Sequence, residues 1–317
     1  MLCCNGFEHQ PPHADGRCGN GRDGVKKVWY GHAPSLLCRT GTANDVSALP
    51  PPRYKKHGKQ MASPWFVVQQ RPSARLTLYC VPHAGRGASL YFPWRAVMPD
   101  WIELRAIQLP GREGRRAEPP MTRIAAIADG LTQAMLPLAD RPYAFFGHSM
   151  GALIAFETAR NLRRLGAPPP RALVLSGRRA PHIVDHDTPI HVLSDDDFVA
   201  AICARYNGIP QIILEQPDMM RMLLPVMRAD IEAIETYAYR DEPPLAEPFF
   251  IYGGRDDAQM APGHIAGWQS LTRQPRAPRL FDGGHFYLQD ARDALVAALA
   301  ADLSAIVTSP DGALTAN

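Results

Sequence analysis

The sequence predicts an α/β fold with a mostly parallel central sheet, helices on both faces and a helical insertion. Three observations carry that reading. From Leu76 onward, short apolar runs alternate with segments of helical spacing, the pattern of strands joined by crossover helices. One run, Tyr143–Phe146, leads straight into Gly147-His148-Ser149-Met150-Gly151 and then into a helical pattern, as a strand, tight turn and helix would. The alternation breaks once, for about seventy residues between Ser176 and Pro248.

In chain order, strands are expected at Leu76–Val81, Ile102–Leu109, Tyr143–Phe146, Ala172–Ser176, Pro248–Tyr252 and Arg279–Phe281, each a short apolar stretch. Helices are expected at Leu90–Met98, Thr122–Leu138, Met150–Leu165, Gly263–Leu271 and Asp290–Ile306. Tyr143–Phe146 is an aromatic run suited to a parallel strand buried on both faces. Behind it, Ala152 to Phe156 followed by Ala159 and Leu162 have the apolar spacing of a helix. The interruption, placed at 183–245, holds two helical patterns, Asp195–Tyr206 and Pro217–Tyr239, and an insertion of that length reads as a helical lid rather than a loop. Pro225 is expected to kink the second of them, which also carries Met219, Met220, Met222 and Met227. Such flexible apolar side chains suit an adaptable channel or plain packing equally.

At 317 residues the chain can bury one sizeable core but not two catalytic domains. Residues 1–60 are rich in Gly, Pro and His with no sustained period, and are expected to be a disordered extension dispensable for folding. Met61-Ala62-Ser63-Pro64-Trp65-Phe66 reads as a natural start, which makes 61–309 the body and 310–317 a flexible tail. That extension holds nine Lys and Arg against four Asp and Glu, so the whole-chain charge of +3 leaves the body near −2. A nucleic-acid partner would need basic residues clustered on a structured face, and the body has no such cluster. No run is long and apolar enough to span a membrane, and no signal peptide precedes the body, so a cytoplasmic enzyme is expected. Of six cysteines, Cys3, Cys4, Cys18 and Cys38 fall in the extension, without the spacing of a zinc site, and only Cys80 and Cys203 lie in the body. Neither a disulfide framework nor a metal is implied.

Gly147-x-Ser149-x-Gly151 makes Ser149 the candidate nucleophile, because the turn is so sharp that Cβ atoms two residues to either side would block strand and helix. A serine hydroxyl needs a neutral imidazole as base and a carboxylate to fix its tautomer. In a strand–elbow–helix architecture these follow in the order Ser, acid, His, at the carboxyl edge of the sheet. The last expected strand ends in Asp282-Gly283-Gly284-His285, which nominates His285 as base; His148 should point away from its neighbour Ser149, and His264 falls on a helix. The preceding strand ends in Gly253-Gly254-Arg255-Asp256-Asp257, which favours Asp257 as the acid over Asp256, with Asp185 and Asp187 as alternatives. Charge developing on the substrate oxygen needs fixed donors, expected from the Met150 N–H at the helix start and the Ala84 N–H in the loop Val81-Pro82-His83-Ala84-Gly85.

With those residues in view, the body from about Trp65 to Leu303 resembles the type II thioesterases, stand-alone α/β-hydrolases that accompany nonribosomal peptide and polyketide synthases. The resemblance rests on Cys80-Val81-Pro82-His83-Ala84-Gly85, Gln108-Leu109-Pro110-Gly111-Arg112-Glu113, Gly147-His148-Ser149-Met150-Gly151, Ser176-Gly177-Arg178-Arg179-Ala180-Pro181, Leu224 to Asp230 and Gly283-Gly284-His285-Phe286. The chain departs from the family pattern at Gly87, which follows Arg86 where a second consecutive glycine is usual, and at Ala258, where proline commonly follows the acid. What the resemblance implies is hydrolysis of acyl or aminoacyl thioesters from the phosphopantetheine arm of carrier proteins, without a cofactor. An acyltransferase or general esterase on the same triad, or a non-catalytic binding protein of this fold, are the alternatives. Carrier proteins are generally acidic around the phosphopantetheine serine, so Arg178 and Arg179 are the candidate carrier contacts, unless they pair with lid carboxylates such as Asp195 or Asp196.

Overall fold

The computed structural model describes residues 63–139, 141–183, 187–206, 209, 211–257 and 260–307. The expected extension over 1–60 and tail over 310–317 lie outside them. Among the described residues, eight strands form one sheet: β1 (Phe66–Val68), β2 (Leu76–Val81), β3 (Ile102–Ile107), β4 (Tyr143–His148), β5 (Leu173–Ser176), β6 (Leu245–Gly254), β7 (Thr272–Pro275) and β8 (Arg279–Phe281). Their spatial order is β1-β3-β2-β4-β5-β6-β7, with β8 also on β6. Among the described strands only β1 runs antiparallel, pairing Phe66 with Ile107 at the edge. β7 pairs with β6 at Leu245–Phe249 and β8 with its far end, Tyr252–Gly254, so the two short strands line one edge of β6 in succession.

Side chains along each central strand alternate between two cores, as the period of a strand dictates. Tyr79, Val81, Phe145, Leu173, Leu175, Phe249 and Ile251 enter one core; Leu78, Cys80, Ala144, Phe146, Val174, Phe250 and Tyr252 enter the other. The first core is covered by α1 (Ile124–Met135), α2 (Met150–Arg164), α3 (Asp195–Tyr206), α4 (Gln211–Leu214), α5 (Pro217–Glu235) and α6 (Pro262–Gln269). The second is covered by a 3-10 helix at Ala88–Ala96 together with α7 (Tyr287–Asp290) and α8 (Arg292–Val307). Both faces of the sheet are thus buried, which is why its strands read as apolar runs rather than alternating ones.

Local signals set the helices. Ser194 caps α3 by accepting the Asp197 N–H at 3.3 Å, and Asp195, Asp196 and Asp197 sit in its first turn, where the helix dipole favours negative charge. Pro217 opens α5, where its missing N–H leaves no helical bond unmade, and the helix continues through Pro225 to Glu235. The segment expected as an α-helix at Leu90–Met98 is instead a 3-10 helix at Ala88–Ala96, because Pro93 lies inside it. Between β5 and β6 the described chain forms no strand and contributes α3, α4 and α5. No helix among the described residues is long and apolar enough to cross a membrane.

Candidate active site

Strand β4 delivers His148 to the carboxyl edge of the sheet and α2 begins at Met150, so Ser149 makes the whole turn. It does so at φ 54° and ψ −113°, a positive-φ backbone conformation that costs a non-glycine residue on the order of 1–3 kcal/mol. Both flanking glycines are required by close approach. A Cβ on Gly147 would lie 2.2 Å from the Gly151 carbonyl oxygen, and one on Gly151 would lie 2.2 Å from that of Val81. The second contact also packs the start of α2 against the end of β2. β2 runs directly into the loop that carries Ala84, and Met150 opens α2.

The three groups of the expected proton path meet here. Asp257 follows β6, and its carboxylate, buried to 1% exposure, accepts the His285 Nδ1–H at 2.8 Å. That bond leaves the His285 Nε2 lone pair facing Ser149, whose Oγ lies 3.1 Å away. The neighbouring acids stand elsewhere. Asp256 is exposed, with its backbone N–H bonded to the Gly283 carbonyl at 3.0 Å. Asp187 is exposed beside Arg179 and Arg205, at 3.9 and 3.7 Å. Asp185 lies outside the described residues. His264 sits on α6.

Two further imidazoles surround His285. His148 is fully buried, its ring centroid 5.2 Å from that of His285 and its Nδ1 paired with Ser176 Oγ at 2.8 Å; that hydroxyl in turn meets Tyr287 OH at 2.6 Å. Its side chain is thus directed to Ser176. His83, packed on Phe286 and His148, donates Nδ1–H to the Ala84 carbonyl at 2.9 Å. Burial pushes the His148 pKa well below its usual range and, aided by repulsion from His285 and Arg86, brings that of His83 down to about 3. With both neighbours neutral, positive charge arising on His285 meets no competing cation from either ring. From the insertion, the Tyr206 ring comes within 5.6 Å of His285, and Met227 lies over Gly85.

Sequence reading brought Ser149, Asp257, His285, Ala84 and Met150 to this edge. It did not find Tyr206, nor the buried pair Arg112–Asp230 at 2.5 Å beside the Ala84 loop. Both members of that pair stand in segments that carry the family resemblance, Leu109-Pro110-Gly111-Arg112 and Arg228-Ala229-Asp230, which was the available signal. Arg178 and Arg179 follow β5 and are half-buried; Arg179 pairs with Asp187, while Asp195 pairs with Arg228 at 2.6 Å. A cleft of about 740 Å³ opens between α3 and α5, lined by Val199, Ala200, Met220 and Leu224 among others but not by Ser149 or His285. Of the four α5 methionines, Met227 is buried, Met220 lines this cleft, and Met219 and Met222 are exposed.

The sequence profile of the thioesterase domain family matches residues 76–303, nearly the whole sheet and both helical layers. The chain is a thioesterase. Gramicidin S biosynthesis protein GrsT of Aneurinibacillus migulanus is 38% identical to this thioesterase over 229 residues, which cover 72% of this chain and 89% of that one. Thioesterase PikA5 of Streptomyces venezuelae is 37% identical, over 69% of this chain and 78% of its own. Among solved structures, the type II thioesterase BorB from the borrelidin biosynthetic cluster superposes with a TM-score of 0.70 at 36% identity, covering 77% of this chain and 100% of that one. The thioesterase is therefore an α/β-hydrolase that cleaves thioesters, and it is similar throughout its body to type II enzymes of peptide and polyketide assembly.

Proposed function

We propose that this thioesterase uses Ser149, His285 and Asp257 to hydrolyse acyl or aminoacyl thioesters carried on the phosphopantetheine arm of carrier proteins, and so clears misprimed or stalled synthases. The observation that carries the reading is the continuous bond path from Asp257 through His285 to Ser149, at 2.8 and 3.1 Å. Ser149 Oγ attacks the thioester carbonyl carbon while His285 Nε2 takes its proton, and Asp257 stabilises the imidazolium that results. The tetrahedral oxyanion is met by the N–H groups of Met150 and Ala84. Its collapse breaks the C–S bond, and the departing thiolate takes the proton from His285. Water then attacks the acyl-serine, giving its proton to His285, which returns it to Ser149 Oγ as the free acid leaves.

The helical insertion serves as the lid in this scheme, supported by the contacts of Tyr206 with His285 and of Met227 with Gly85. Similarity to a gramicidin S biosynthesis protein and to a type II thioesterase of the borrelidin biosynthetic cluster supports a carrier-bound substrate. The pairing of Arg179 with Asp187 supports an internal role for that arginine rather than carrier docking. The test is release of free acid from a set of acyl-carrier substrates by the wild type and by Ser149→Ala. Loss of about 10³-fold or more in turnover, with an unchanged melting temperature, is expected, because nucleophile and base act as a unit. Near-normal hydrolysis by Ser149→Ala would refute the mechanism, and acyl groups appearing on an acceptor other than water would redefine the enzyme as a transferase.

A further inference from the structure

Ser176 ends β5 at the edge where the reacting groups meet, is fully buried, and takes no part in the path from Asp257 to Ser149. Three bonds converge on it. Its carbonyl accepts the N–H of Ser149 itself at 2.8 Å. Its Oγ lies 2.8 Å from His148 Nδ1 and 2.6 Å from Tyr287 OH. The first two partners stand on the nucleophile turn. The third belongs to the base turn, since the Tyr287 N–H bonds the Gly284 carbonyl at 3.2 Å and closes the loop that carries His285. The His148 ring has little else to hold it: its Nε2 meets no hydrogen-bond partner among the described residues, and only the missing Cβ of Gly177, which would lie 2.5 Å from Cε1, leaves it room. Ser176 Oγ consequently sets how that ring lies against His285, with centroids 5.2 Å apart and planes 46° apart. Burial pushes the Tyr287 pKa well up and that of His148 well down, so this chain of groups stays uncharged at neutral pH. It handles no proton of the reaction and acts by placement.

We propose that Ser176 is a positioning residue for catalysis: its hydroxyl braces His148 and Tyr287 against each other, and so holds the nucleophile turn and the base turn at the separation that the Ser149–His285 bond requires. The inference rests on the roles given above to Ser149 and His285. The positive-φ backbone of Ser149 persists only where its surroundings over-determine it, and Ser176 fixes both its N–H and the side chain before it. Stability alone does not call for the brace, since apolar groups of the same shape could replace all the partners at little cost, whereas removing one leaves the others buried and unpaired. Proton transfer depends on placement instead, and a displacement of about 1 Å at the reacting atoms can cost about 10²-fold in rate.

Ser176→Ala keeps the carbonyl for Ser149 but releases both rings. It is expected to lower kcat per titrated active site about 10–100-fold, with KM within about threefold. Tyr287→Phe keeps the ring stacked on Phe281 and leaves Ser176 bonded to His148, so part of that loss is expected. In Ser176→Ala/Tyr287→Phe the loss in kcat is expected to be no greater than in Ser176→Ala alone, because both side chains act through one hydroxyl. The rate at which a fluorophosphonate modifies Ser149 should fall in the same order, since that reaction reads nucleophile and base without carrier docking or thiol release. A lowered melting temperature with kcat and fluorophosphonate rate at the wild-type level in Ser176→Ala would make the brace purely structural and overturn the proposal. Losses that multiply in the double variant would overturn it too. Should Ser176→Ala not fold, Tyr287→Phe decides, since wild-type kcat there is incompatible with positioning. Ser149→Ala is assayed alongside. If it remains active, the triad reading itself fails; if it is inactive while Ser176→Ala and Tyr287→Phe both turn over normally, only the positioning role fails.

Discussion

Replacing Asp257 by Asn perturbs the innermost group of the proposed proton path without changing its size. The carboxylate is 1% exposed and accepts the His285 Nδ1–H at 2.8 Å. An amide nitrogen in that place donates instead, and so favours the imidazole tautomer that carries its proton on Nε2. Nε2 is the atom 3.1 Å from Ser149 Oγ, and once protonated it has no lone pair to receive the serine proton. In a serine-protease triad the same exchange lowers kcat by about 10⁴-fold. That factor corresponds to about 5.5 kcal/mol of transition-state stabilisation. Asp256→Asn is the internal control, because that side chain is exposed and one residue away; a change in kcat of less than about threefold is expected. The assay is release of free acid from an acyl-pantetheine thioester, with rates normalised to titrated active sites. Equal small losses in the two variants would refute the assignment and move the acid to Asp185 or Asp187.

Two further outcomes follow from charge placement. Glu242 is only partly buried, and although that burial opposes ionisation, hydrogen bonds from Arg164, Arg160 and Arg163 hold its pKa down to about 2. Its stabilising effect is therefore complete above the unfolded value of about 4.5 and is lost as pH falls toward about 2, so Glu242→Gln should melt about 2–4 °C lower at pH 7 and converge with the wild type across that window. A gap as large at pH 2.5 as at pH 7 would contradict the pairing. Arg179→Glu should lower the melting temperature and affect carrier-bound and free thioesters alike, because its side chain is 12% exposed and lies 3.9 Å from Asp187. A salt-sensitive rise in KM confined to the acyl-carrier substrate would instead assign it to docking.

The central strands were legible because burial on both faces leaves nothing but apolar residues, as in Tyr143–Phe146 and Leu173–Ser176. β7, Thr-Arg-Gln-Pro, was not, since three of its four residues are exposed and its strand character comes only from pairing with β6. β1 is three residues long, too short for a period to emerge. Expected Pro217–Tyr239 ends at Glu235, with Thr236 at its cap; apolar and aromatic residues continue past that point but do not prolong the helix. At the site, Ser149 and His285 were marked by the glycines that crowd around them. Which of Asp256 and Asp257 faces the imidazole depends on the path of one turn, and local composition is the same for both. The grip of Arg112 on Asp230 spans 118 positions and exists only once the insertion has packed over the sheet.

The turns bearing Asp257 and His285 are joined main chain to main chain: Arg255 N–H bonds the Phe281 carbonyl at 2.9 Å and Asp256 N–H bonds that of Gly283 at 3.0 Å. The two turns are consequently tied to each other by their own main chain rather than through α3, α4 or α5. If the proposed roles hold, variation can accumulate in the insertion and reshape which acyl groups are admitted while the proposed acid–base pair is inherited intact. Such a division of labour would let one scaffold be retuned among pathways by drift in a single helical segment, and it marks 183–245 as the place to diversify when a new acyl preference is sought.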